Sequence, residues 1–216
     1  MVKITIELRQ VTVKEKTMSR FQKASTQQLN RYNKYVVGLD RDGVINKDIG
    51  TYVTSVNDFI PIEKSLEAVA LIRSKGHPIV IITNQGGIQK GIVTETQLND
   101  IHKHMFDLLG KAGCPSIDGL YYSSSSLKQD FYAKPNIGMF ERAQDEIPNI
   151  KFSKGIYIGD KLSDLKAADK IGAKPILVRT GHGLETEKLL NTRFTYNKLK
   201  KKTRIFDSLW DVAQAL

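Results

Sequence analysis

The chain of 216 residues is 40% hydrophobic and 26% charged, with 16 Gly and 6 Pro, which excludes a disordered or collagen-like polymer and suits one globular domain with appendages. Its single cysteine, Cys114, excludes an intramolecular disulfide and any multi-cysteine zinc or iron-sulfur site. The net charge of +10 resides in two segments, residues 1–34 at +6 and residues 193–204 at +6, while the remainder stands at −2; such segments serve solubility or an anionic partner.

Val2 to Leu8 alternates apolar and polar residues, the pattern of a half-buried strand, and it lacks the continuous apolar stretch of a secretory signal. With no apolar run of about 18 residues anywhere, the expectation is a soluble, cytoplasmic protein that engages no membrane. Lys14 to Lys34 reads as a weak helix or linker, so residues 1–34 form a basic appendage to a domain at 35–216. From Tyr35 strands and helices alternate. Strands are expected at Tyr35–Leu39, Ile79–Ile82, Gly119–Tyr122, Gly155–Ile158 and Pro175–Val178, and helices at Ile62–Lys75, Thr94–Leu109, Gly138–Glu146 and Ser163–Ile171. Ile79-Val80-Ile81-Ile82 is apolar without alternation, as in a parallel sheet covered on both faces. The fold class is therefore α/β, a doubly wound, mostly parallel sheet, whose ligands belong at the carboxyl ends of its strands.

Four polar motifs follow four strands. In Asp40-Arg41-Asp42-Gly43, extended geometry aims Asp40 and Asp42 the same way, with Arg41 turned elsewhere. Two adjacent carboxylates repel and call for a cation or a shared proton; Mg²⁺, which favours oxygen ligands, satisfies the first and screens a phosphate. A polar Asp-Gly turn is the structural alternative. Thr83-Asn84-Gln85-Gly86-Gly87 offers a hydroxyl and free backbone N–H groups to phosphate oxygens, yet it is no Walker loop, since Ile92 and Val93 stand where Lys and Ser/Thr are needed. Lys134, before Pro135, can neutralise a phosphoryl group. Gly159-Asp160-Lys161-Leu162-Ser163-Asp164 adds two carboxylates and a lysine that can reach phosphate, although Asp164 could equally cap the helix it begins. One crevice would collect all four motifs. His102 and His104, two apart on a helix, diverge and cannot chelate one metal, and Cys114 has no adjacent His to activate it.

These motifs, in this order, resemble the haloacid dehalogenase superfamily of aspartate-nucleophile phosphatases. Asp40–Asn46, Tyr52-Val53, Asp58-Phe59, Thr83–Gln85, Lys134-Pro135 and Gly159–Asp164 are similar to the branch that acts on heptose bisphosphates and histidinol phosphate, over about residues 35–182 with a weaker echo at 208–216. The resemblance implies Asp40 as nucleophile, Asp42 as general acid and base, Thr83 and Asn84 on phosphate, Lys134 as charge stabiliser, and Mg²⁺ held by Asp40, Asp160 and the main-chain carbonyl of Asp42, with Asp164 nearby. It implies a small phosphorylated sugar as substrate, the 7-phosphate of a heptose 1,7-bisphosphate first and histidinol phosphate or another small sugar phosphate second.

Two departures from that branch stand out. Ser123–Ser126 occupies the place of the branch's first zinc ligands, so no structural zinc is expected and the loop to Tyr132 must hold by hydrogen bonds and by packing of Leu127, Phe131 and Tyr132. Ala133 stands where many members carry arginine. Too little chain separates the motifs for an inserted cap domain. A reading from another class, nucleic-acid binding or action on polynucleotide ends, draws on the two basic segments alone and is disfavoured by the scarcity of nearby aromatics.

Overall fold

Residues 2–3, 34–127 and 129–216 are described by a computed structural model of the chain. Seven strands form one sheet: β1 (Val2–Lys3), β2 (Val37–Leu39), β3 (Ile79–Asn84), β4 (Gly119–Ser123), β5 (Ile156–Gly159), β6 (Lys174–Val178) and β7 (Arg204–Phe206), in the order β1-β4-β3-β2-β5-β6-β7. Strands β2 to β7 run parallel, whereas β1 pairs antiparallel with β4 at the edge. Of the segments expected at Val2–Leu8 and Lys14–Lys34, all but Val2, Lys3 and Lys34 lies outside the described residues.

The helices are α1 (Ser65–Ser74), α2 (Glu95–Lys111), α3 (Gly138–Glu146), α4 (Leu162–Ile171), α5 (Gly183–Thr192), α6 (Asn197–Lys202) and α7 (Leu209–Ala215). On one face Ile72 of α1, Ile101 and Met105 of α2 and Leu209 of α7 pack against Val37, Leu39, Ile79 and Ile81. On the other, Phe140 of α3 and Ala167 and Ala168 of α4 meet Val80, Ile82 and Tyr157. This two-sided cover explains why β3 is apolar at successive positions: side chains pointing either way enter a core.

The elements expected from Tyr35 onward are all present, with shifted ends. Thr94 caps α2 by accepting from Gln97 N, so the helix proper starts at Glu95. Strand β3 runs two residues past Ile82, which puts Thr83 and Asn84 on the strand. The basic segment 193–204 is no loose flank: it builds α6 and enters β7, with Leu199 buried, Lys202 paired to Asp169 and Tyr196 beneath Lys166. The described residues contain no inserted cap; residues 47–61 are loop apart from one short 3-10 turn at Val56–Asp58.

Candidate active site

Strand order reverses beside β2: the chain builds β3 and β4 on one side and then returns to add β5 on the other. A crevice opens outside the carboxyl ends at such a point. Leu39, the last residue of β2, is in register with Ile81 and Ile158, so the carboxyl ends of the three strands lie side by side, β3 running three residues and β5 one residue further. Asp40, directly after β2, donates its N–H to the Ile158 carbonyl at 2.9 Å.

Asp40, Asp160 and Asp164 are all buried and offer carboxylate oxygens within 4.8 Å of one another. Lys134 Nζ ties two of them, at 2.9 Å from Asp40 Oδ1 and 2.6 Å from Asp164 Oδ1. Burial works against the lysine's charge, but Asp164 and Asp40 outweigh it and hold its pKa above the ordinary value. The same ammonium donates to Tyr157 Oη at 2.9 Å and to the Ile82 carbonyl at 3.0 Å, while Tyr157 donates to that carbonyl at 2.5 Å. Burial raises Asp40 to about 6 against the pull of Lys134. Burial, then the charges of Asp164 and Asp40, raise Asp160 to about 8.

The sequence makes room for this cluster with glycine. Gly43 (φ 82°) and Gly181 (φ 57°) both turn left-handed against the Asp160 carboxylate, where a Cβ would stand 2.2 and 2.3 Å from Oδ2. Oδ2 accepts the His182 N–H at 2.8 Å, and Oδ1 is buried without a hydrogen-bond partner among the described residues. Three clustered hard oxygen donors, two with raised pKa and one with an unpartnered buried oxygen, are a fit for Mg²⁺.

Asp42 is placed differently from the expectation. The strand ends at Leu39, so the extended alternation that would turn Arg41 away does not apply. Instead the buried Arg41 guanidinium folds onto Asp42, with Nη2 at 2.9 Å from both carboxylate oxygens and Nε 3.2 Å from Oδ1. Asn46 Nδ2 and Gln85 Nε2 each donate to it at 2.8 Å. Burial opposes ionisation here, yet Arg41 with Asn46 and Gln85 keeps the Asp42 pKa below the ordinary carboxylate value. Its carboxylate therefore lies outside the cluster of three, in which Asp164 is the third member. Asp164 is also a helix-start residue, accepting the Lys161 N–H at 2.9 Å, while its other carboxylate oxygen faces Lys134 in the cluster.

Thr83 is buried and its hydroxyl accepts from Gln85 Nε2 at 3.0 Å. Asn84 spends its side chain on Lys134, donating to its carbonyl at 3.0 Å and accepting its N–H at 2.9 Å; this clamp fixes the loop that delivers the ammonium. Lys161 stands at the mouth, 2.9 Å from Asp48 Oδ2, and His182 Nε2 is 3.1 Å from the same oxygen. The loop carrying Asp48 continues into an open cleft of about 530 Å³ walled by Ile49, Tyr52, Thr54, Asp58 and Ile92. The other wall loop departs from the packing expected of it. Leu127, Phe131 and Tyr132 are 44%, 55% and 37% exposed. Turn hydrogen bonds shape it instead, Ser125 N to Ser123 Oγ, Leu127 N to Ser125 Oγ and Tyr132 N to Asp130 Oδ1.

Sequence reasoning gave no role to Gln85, Tyr157, Asp48 or His182. Gln85 stood beside a motif, but a tyrosine inside an apolar strand and an aspartate in a loop carry no local signal. Cys114 is buried, its thiol raised by burial, as suits a structural residue.

The comparisons with known proteins agree with this geometry. Residues 36–202 match the family model described as polynucleotide kinase 3 phosphatase. A D-glycero-D-manno-heptose-1,7-bisphosphate 7-phosphatase of Chlorobaculum tepidum is 39% identical over 163 residues, 70% of this chain and 81% of that protein. The D-glycero-beta-D-manno-heptose-1,7-bisphosphate 7-phosphatase of Neisseria meningitidis serogroup A is 36% identical over 177 residues, 82% of this chain and 91% of its own. Among solved structures, a D,D-heptose 1,7-bisphosphate phosphatase from B. bronchiseptica, complexed with magnesium and phosphate, superposes with a TM-score of 0.75 at 28% identity, covering 84% of this chain and 97% of that one. With its buried carboxylates gathered at the reversal of a doubly wound sheet, the chain belongs to the haloacid dehalogenase superfamily, among the phosphatases to which these relatives belong, and is itself a phosphatase.

Proposed function

We propose that the protein is a Mg²⁺-dependent phosphomonoesterase that works through an aspartyl-phosphate on Asp40 and removes the 7-phosphate of a heptose 1,7-bisphosphate. The observation that carries the reaction type is the buried Asp40–Lys134–Asp164 chain of ion pairs beside Asp160. The names of the curated relatives support the substrate.

Asp40 attacks phosphorus through a carboxylate oxygen, the P–O bond to the sugar breaks, and the departing oxygen takes a proton from the acid form of Asp42. A water then attacks phosphorus of the acyl phosphate, Asp42 takes its proton, and Asp40 and inorganic phosphate are released. Lys134 lowers the charge on the phosphoryl oxygens, and Thr83 offers its hydroxyl to them. Asp40, Asp160, Asp164 and the Asp42 carbonyl are the groups that would hold Mg²⁺, which supplies charge neutralisation when bound. Because Arg41, Asn46 and Gln85 favour the carboxylate of Asp42, delivering a proton requires it to leave part of that cage. The wall loops at 47–53 and 123–132 set selectivity, with no inserted cap among the described residues.

The test is a panel of phosphomonoesters with Mg²⁺: heptose 1,7-bisphosphate, histidinol phosphate and a 3′-phosphorylated oligonucleotide, the last because of the matched family model's description. Turnover greatest on the first is expected. Asp40→Asn should abolish it with an unchanged circular dichroism spectrum. Failure to hydrolyse any phosphomonoester, or substantial activity of Asp40→Asn, overturns the reading; preference for the oligonucleotide overturns its substrate.

A further inference from the structure

His102 lies in the apolar stripe of α2 with Leu98, Ile101, Met105 and Leu109, fully buried, on a helix that contributes nothing else to the catalytic cluster. A histidine in such a stripe is ordinarily a packing residue. Its Nε2, however, is 3.1 Å from Arg41 Nη1. A guanidinium only donates hydrogen bonds, so Nε2 accepts and the ring proton sits on Nδ1. Burial, then the facing Arg41 charge, hold the imidazole pKa well below the ordinary histidine value.

Arg41 is 1% exposed, and a buried guanidinium is tolerated only when its N–H groups are engaged. Its Nε and Nη2 face Asp42, and Nη2 also reaches Gln85 Oε1 at 3.1 Å, which leaves His102 as the partner of Nη1. His102 thus holds the guanidinium by Nη1, the nitrogen not paired with the carboxylate, while Gln85 bridges Nη2 and Asp42 Oδ2. This arrangement has a mechanical consequence. A free guanidinium would follow a turning carboxylate and keep it paired, whereas an anchored one lets Asp42 swing toward the leaving oxygen while its counter-charge stays behind.

We propose that His102 is a positioning residue for proton transfer: as a neutral acceptor it anchors Arg41, so that Asp42 can leave the guanidinium and return to the same place in each turnover. The inference rests on the reading of Asp42 as general acid and base.

The test compares His102→Leu and His102→Gln with the wild type on two esters, the heptose bisphosphate and 4-nitrophenyl phosphate. Leucine cannot accept from Arg41, while the glutamine carbonyl can. Loss of a placed general acid costs on the order of a hundredfold on an alkoxide leaving group and little on nitrophenolate, which departs without a proton. His102→Leu should therefore lower kcat on the sugar ester at least tenfold with KM within about twofold. It should leave the first-turnover release of nitrophenolate unchanged, and His102→Gln should recover most of the loss. Equal losses on both esters in the first turnover, or no loss on the sugar ester, overturn the proposal. Nitrogen NMR of the wild-type ring, which needs no variant to fold, should show Nδ1 protonated and Nε2 bare at neutral pH; the opposite tautomer or an imidazolium overturns it as well. Asp42→Asn separates the two levels. If that variant keeps full sugar-ester activity, the general-acid reading itself fails; if it is inactive while His102→Leu is unaffected, only the anchoring role fails.

Discussion

Lys134 Nζ lies 2.9 Å from Asp40 Oδ1, and the lysine reaches that carboxylate from a loop fifty residues beyond β3 because Asn84, the last residue of that strand, grips its backbone on both sides. The ammonium is the one cation in ion-pair contact with Asp40 and Asp164 among the described residues. Lys134→Met should lower kcat by about two to three orders of magnitude, the cost of losing one preorganised charge stabiliser. It also strands two buried carboxyls, a change worth about 3–5 kcal/mol when a buried pair is broken. Steady-state kinetics and denaturant unfolding of the variant check both parts.

Tyr157 tests how far that lysine depends on its support. The hydroxyl accepts from Lys134 Nζ and donates to the Ile82 carbonyl. Tyr157→Phe removes both bonds while keeping the ring that packs on Phe140. A loss of about 1–2 kcal/mol in stability and about a tenfold drop in kcat are expected, read by thermal unfolding and by turnover of the preferred ester.

Metal binding should expel protons. Asp160 is raised to about 8 and Asp40 to about 6 in the metal-free chain, from an ordinary 3.8. A carboxyl whose folded pKa lies above its unfolded value stabilises the fold fully below the unfolded pKa and ceases to do so as pH rises through the folded one. The metal-free protein should therefore lose stability as pH rises from about 4, from Asp40 until about pH 6 and from Asp160 until about pH 8, and the rise in Tm caused by Mg²⁺ should grow over the same range. Titration calorimetry near neutral pH in buffers of different ionisation enthalpy should show net proton release.

No stoichiometric zinc should accompany the protein. The one carboxylate, His or Cys cluster able to hold a metal among the described residues is Asp40, Asp160 and Asp164, all oxygen donors. Elemental analysis of protein purified without added metal should find less than one zinc per chain, and activity lost to a chelator should return with excess Mg²⁺ alone. One tightly bound zinc per chain would contradict this.

His77 offers a stability probe remote from chemistry. Its Nδ1 lies 2.9 Å from the Tyr35 carbonyl, its Nε2 is buried without a partner among the described residues, and burial lowers its pKa below the ordinary 6.5. The neutral ring is favoured in the fold, so its contribution is present above the unfolded pKa and fades as pH falls below it. The difference in unfolding free energy between wild type and His77→Gln should narrow from about pH 7.5 to pH 5.5.

Much of the protein was legible in one dimension. The apolar run of β3, the alternation of strands and helices, and a polar motif after each of four strands are local facts, and together they specify a doubly wound sheet with Asp40, Thr83, Lys134 and Asp160 at one end. The C-terminal helices and β7 leave little trace in the sequence, since a run such as Asn197–Lys202 carries almost no apolar periodicity and gains its helical place from burying Leu199. Alternation does not govern Arg41 and Asp42, because it holds only within a strand and β2 ends at Leu39. His102 lies 61 residues from Arg41, and Tyr157 lies 23 from Lys134. Sequence periodicity marks both as core positions, because each is surrounded by apolar neighbours on its own element. Only the packing of α2 against the sheet, and of β5 beside β2, decides which buried polar atom meets which charge, since hydrogen bonds are directional and their partners come from other parts of the chain.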